Sequence, residues 1–140
     1  MLEGLLHKLA PLTANCREFK EKWDSAAALD ASGVSGRWEG EWVSAKSGHR
    51  GPLQCVLTVL SPALWRLTFR ASYSGFFRAC YATDFNVAQR EEGWTFTGSQ
   101  DLGTLAGGAY AYEGEATLTE MRCRYKSATD EGEFRLRRPQ

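Results

Sequence analysis

Nothing in this 140-residue chain approaches the run of about 20 apolar residues that a bilayer-crossing helix needs. Histidine is scarce, with only His7 near the start and His49 in a polar turn. A histidine-ligated haem or zinc centre among the strands is therefore not expected, and no cofactor is. The four cysteines, Cys16, Cys55, Cys80 and Cys123, form no CxxC or CxxH pair, which excludes the closely spaced zinc and redox motifs. Glu3 and Lys8 interrupt the apolar start, so the N-terminus reads poorly as a secretory leader. Together these features predict free structural thiols in a reducing compartment, the cytoplasm. An excess of charge of either sign is also missing: 17 Lys and Arg balance 17 Asp and Glu. That removes the electrostatic footprint of a general nucleic-acid binder. The basic group Arg122, Arg124, Lys126, Arg135, Arg137 and Arg138 is interleaved with Glu113, Glu115, Glu120, Glu131 and Glu133, as cross-strand charge pairs on a solvated face would be. The glycine-rich stretch DLGTLAGG (101–108) has no P-loop lysine and reads as a connection.

Proline is sparse, four residues against 14 glycines, the balance of a chain with many tight turns. Leu2, Leu5, Leu6 and Leu9 recur at helical steps until Pro11. A second helix is predicted from about 13 to 29, capped by Thr13, with Cys16, Phe19, Lys20, Trp23 and Ala27 on one stripe. Its other face is mixed in sign, which fits a helix packed over a protein surface better than one lying on a membrane. The segment DASGVSG then breaks the helix, and the period falls to two. Alternating runs begin at Arg37, Leu53, Trp65, Phe77, Trp94, Tyr110, Met121 and Phe134, with a further short strand over 85–90. Asp84, Asp101 and Asp130 read as strand-ending or turn residues.

The expected fold is mainly β: an antiparallel up-and-down barrel of eight or nine strands behind an N-terminal helix. Residues 1–35 form the helical segment and 36–140 the barrel domain. A short helix followed by Gly36-Arg37-Trp38 at the start of the first strand resembles the opening of a lipocalin or related calycin barrel. The resemblance implies that Trp38 packs at one closed end beneath an arginine of the last strand, Arg135 or Arg137. Thr83-Asp84-Phe85 is similar to a second lipocalin signature but stands too early in the chain for the family's order.

Literal alternation puts all five tyrosines, Tyr73, Tyr81, Tyr110, Tyr112 and Tyr125, on the inner face. Each buried phenol needs a hydrogen-bond partner, which a wet or ligand-filled interior supplies more easily than a dry core. Gly40, Ala71, Ala79, Gly98 and Gly114 leave room beside them. The resulting ligand-binding set is Trp42, Trp65, Phe69, Tyr81, Tyr110, Tyr112 and Tyr125, suited to a small, partly apolar or aromatic molecule. Two other classes compete. A filled barrel could act as an interaction module through an outward patch containing Val56 and Phe76. A cofactor-free isomerase or cyclase would need an inward carboxylate beside a tyrosine, and the alternation places none. Oligomeric state is not legible.

Overall fold

The computed structural model describes residues 16–27, 33–73, 77–101 and 108–139. Outside them lie the leucine stripe of 2–9, His7, Thr13, Phe76 and most of the glycine-rich connection, and of Tyr73 and Phe77 only the backbone is described. Among the described residues a helix, α1 (Cys16–Ala26), precedes eight strands. These are β1 (Gly36–Ser44), β2 (Arg50–Ser61), β3 (Leu64–Tyr73), β4 (Phe77–Arg90), β5 (Gly93–Asp101), β6 (Ala109–Ala116), β7 (Glu120–Lys126) and β8 (Glu131–Arg137). Each pairs antiparallel with the next, and β8 returns to β1, closing the barrel. Closure leaves no outer strand of the sheet unpaired, which is why so short a chain can be built almost entirely of strands.

The two short strands expected on either side of Asp84 are one, β4. Asp84 does not end it, because its side chain points outward to an ion pair with Arg66 of β3 at 2.8 Å. Thr83 and Phe85 meanwhile continue the inward row. The turn reading of Asp130 stands: its carboxylate accepts from Ser44 Oγ and the Glu131 N–H, both at 2.8 Å.

Helix α1 ends at Ala26, before the predicted end near 29, and lies against the outer wall. Cys16, Phe19, Trp23 and Ala26 recur at three- and four-residue steps, and the stripe covers Val56 of β2 and Cys80 of β4. Val56 is thus buried under α1 and is no outward contact patch. The Arg70 guanidinium lies over the Phe19 ring and that of Arg37 over Trp23. Arg37 also donates to the Trp23 carbonyl at 2.7 Å. Cys16 and Cys80 are disulfide-bonded, a correction to the expectation of four thiols. Their 64-residue separation carries no sequence signal; only the docked helix sets the first turn of α1 above an outward position of β4. The bond also removes the thiol-based argument for a reducing compartment. Cys55 and Cys123 are free and buried. No described helix is long and apolar enough to cross a membrane.

The hairpins near 61–64, 90–93 and 116–120 share one end of the barrel with the start of β1. There Trp38 is fully buried and donates from Nε1 to the Val34 carbonyl at 2.8 Å. The guanidinium over its ring is that of Arg138, 4.8 Å from the centroid, donating to the carbonyls of Val34 and Ser35. Arg135 and Arg137 do not take this place. Both occupy outward positions of β8, where Arg135 pairs with Glu133, whereas Arg138 follows the strand's last residue and can turn beneath the barrel.

Candidate functional site

The opposite end of the barrel carries the tyrosines. Tyr110, Tyr112 and Tyr125 come from β6 and β7, Tyr81 from β4 and Trp42 from β1, all inward and nearly fully buried. Alternation alone orients them, since each strand turns every second side chain to the interior. Cross-strand register then sets neighbours: Tyr112 stands opposite Tyr125, and Tyr81 opposite Phe69. The Phe69 ring stacks on Tyr81 at 5.2 Å and meets Phe134 edge-on at 5.3 Å. Phe85 makes edge contacts with Tyr112 at 5.6 Å and with Phe96 at 5.2 Å.

Six of the seven residues expected to line the site therefore share this end or the waist below it. Trp65 does not. It starts β3 at the Trp38 end, in ring contact with Trp94 at 5.6 Å and Phe96 at 6.1 Å. Alternation reports which face a residue takes, not how far along the barrel axis it stands.

The room expected beside the glycines is occupied. A Cβ on Gly98 would lie 2.9 Å from the Phe85 ring, and one on Gly114 2.6 Å from the ring of Phe96. The ring of Tyr125 sits over Gly132 in the same way, and that of Trp42 over Gly51. At Gly40 the obstacle is the backbone of Arg135 on the neighbouring strand. Inward glycines thus let strands bend and close while aromatic rings cover them.

The phenols are held by polar neighbours. Tyr112 is hydrogen-bonded with Thr83, whose hydroxyl donates to Gln100 Oε1 at 2.6 Å. Gln100 Nε2 in turn donates to the Ala82 carbonyl at 3.1 Å. The Tyr125 hydroxyl reaches the Val43 carbonyl at 3.5 Å, and Trp42 Nε1 donates to the Ser72 carbonyl at 3.0 Å. Burial pushes the phenols of Tyr81 and Tyr112 well above the usual tyrosine range, and Tyr112 and Tyr125 add to the cost of ionising Tyr81. Burial likewise pushes up the thiols of Cys55 and Cys123, which stand among them. Such a site is neutral, and it offers hydroxyl groups and aromatic faces. It is poorly equipped for proton transfer near neutrality: no described Asp or Glu is buried, and the raised phenols stay protonated. Among the described residues no three His, Cys, Asp or Glu are grouped to hold a metal ion.

Thr83 and Gln100 are the polar members of this site that sequence reading passed over. Extending the inward row 77, 79, 81 by one step would have found Thr83, had Asp84 not been read as a strand end. Gln100 likewise continues the inward row of Trp94, Phe96 and Gly98, but its bonds to Thr83 and Ala82 depend on how β5 leaves β4.

No protein-family model matches the chain, and no curated protein does. Solved structures do match. One is a de novo designed fluorescence-activating β-barrel, with a TM-score of 0.52, 16% identity, and coverage of 78% of this chain and 96% of that one. Another is a redesigned β-barrel, mFAP1, bound to DFHBI, with a TM-score of 0.57, 13% identity, and coverage of 77% and 97%. At such identities the likeness is one of fold. This chain is a small eight-stranded antiparallel β-barrel.

Proposed function

We propose that the chain is a lipocalin-like, calycin-type binding barrel that takes a small, partly apolar aromatic molecule at its tyrosine end, non-catalytically. Residues 1–35 serve in this reading as a helical segment on a barrel domain of 36–140. The observation that carries it is the convergence of Tyr81, Tyr112 and Tyr125 with Cys55 and Cys123 in one neutral, buried cluster. Aromatic walls supply contact area, and phenols supply hydrogen bonds that orient a ligand without charging the site. The calycin likeness draws support from the Trp38–Arg138 stack and the helix before the first strand. That mFAP1, a barrel of this fold, was solved with DFHBI bound supports the idea that eight strands of this size can hold such a molecule.

Native mass spectrometry of the purified protein, beside the same sample denatured, tests the reading. A mass lost on denaturation supports it and gives the ligand's mass. DFHBI serves as the probe for a protein purified bare: saturable fluorescence is expected, weakened about tenfold in Tyr110→Phe/Tyr112→Phe, as loss of one to two ordinary hydrogen bonds implies. A bare protein that also fails to bind DFHBI refutes the proposal. The filled-barrel interaction module would then stand, as the rings over Gly98 and Gly114 favour.

A further inference from the structure

The barrel wall is not equally knitted all round. The β3–β4 ladder holds ten residue pairs and the β5–β6 ladder eight, whereas β4 and β5 share five, from Asn86↔Thr97 to Arg90↔Gly93. Towards the tyrosine end, β5 leaves β4 after Thr97 while staying fully paired with β6. The ladder ends beside Gly98, where the Phe85 ring and the Asp84 carbonyl occupy the space a Cβ would need. Above that point the two strands are joined by a side chain. Gln100 accepts from Thr83 and donates to the Ala82 carbonyl, standing where backbone pairing would otherwise run. Outside this seam, between α1 and the wall, is a depression of about 450 Å³ bordered by Glu18, Lys22, the Arg66–Asp84 pair and Ser99. Inside it, one hydrogen bond beyond Thr83, is Tyr112.

We propose that this β4–β5 seam is the side passage by which a ligand reaches the tyrosine cluster, and that Gln100 is its gate. The inference rests on the ligand-binding reading above. Swinging Gln100 aside breaks two hydrogen bonds to a part-exposed side chain, whereas parting any of the neighbouring seams breaks a continuous ladder. The passage takes a slim, uncharged molecule, because the described interior beyond it offers phenols, thiols and rings but no buried carboxylate or lysine to meet a charge.

The interior thiols test this without any ligand. Cys123 stands beside Tyr112, whereas Cys55 meets the cluster at Tyr81 and is paired with Trp38 and Phe69, towards the Arg138 end. Alkylation by iodoacetamide is followed at each by peptide mass spectrometry, in native protein with the Cys16–Cys80 bond intact. Gln100→Ala is expected to speed Cys123 about tenfold, the effect of losing one to two ordinary hydrogen bonds, with little change at Cys55. Merely destabilising the fold would raise both rates together, and that outcome, or no change at Cys123, overturns the proposal. Asp84→Cys/Ser99→Cys, oxidised to bolt the seam, decides the matter even if Gln100→Ala does not fold. Cys123 should then react more slowly than in wild type, and a wild-type rate refutes the passage. Because no step needs DFHBI or a natural ligand, failure of the binding reading and failure of the passage are told apart.

Discussion

Alkaline pH should unfold this barrel cooperatively, with a steepness set by its buried acids. Four groups, the thiols of Cys55 and Cys123 and the phenols of Tyr81 and Tyr112, are pushed by burial above the ranges they show in an unfolded chain. A folded-state value raised in this way stabilises the fold fully below the unfolded value and is lost as pH climbs towards the folded one. Above about pH 8.5 for the thiols and about 10 for the phenols, the unfolded chain gives up protons that the native barrel retains, so stability falls with pH. At about pH 10.5 each thiol costs about 2.7 kcal/mol and each phenol about 0.8 kcal/mol, together about 7 kcal/mol. That is comparable with the whole stability of an ordinary domain, about 5–15 kcal/mol. The transition is therefore expected between about pH 10 and 11.5, on the same scale. Near-UV circular dichroism and tyrosinate absorbance, followed through one titration, should change together. Tyr81→Phe should shallow the slope above pH 10 by about 1.4 kcal/mol per pH unit. Ionisation of all five tyrosines near pH 10 with the near-UV spectrum intact would refute the reasoning, because Tyr81 and Tyr112 would then be ionising within the fold.

Three further outcomes follow from the packing. Gly114→Ala sets a Cβ 2.4 Å from the Arg122 carbonyl and 2.6 Å from the Phe96 ring. It should lose about 3 kcal/mol or more in urea unfolding, from overpacking and a forced strand shift. Thr68 Oγ1 is buried on the wall under α1 with no hydrogen-bond partner among the described residues, so Thr68→Val should gain about 1 kcal/mol by the same assay. Removing the disulfide as Cys16→Ser/Cys80→Ser frees a loop of 64 residues in the unfolded chain and should cost about 4 kcal/mol. A loss under about 1 kcal/mol would show that the unfolded chain keeps these two segments close without the bond.

The fold could be read from the chain because its strands are amphipathic and the side-chain period is two. Arg37 to Trp42, Trp65 to Tyr73 and Met121 to Lys126 alternate cleanly, and the turns between them carry glycine or polar residues. One break in that reading came at Thr83-Asp84, where an acidic residue looks like a turn but finds Arg66 across the outer wall. Period therefore determined the barrel, its inward tyrosines and the paired charges outside. Height along the axis, partners distant in sequence and the weak seam are different quantities, and only the tertiary structure decided them. It sent Trp65 to the end opposite Tyr110 and laid rings on the glycines that alternation left open. It joined Cys16 to Cys80, set Arg138 beneath Trp38, and placed Gln100 where β5 parts from β4. Alternation is a local property of one strand, whereas register, closure and helix docking depend on residues that meet only once the whole sheet has curled shut.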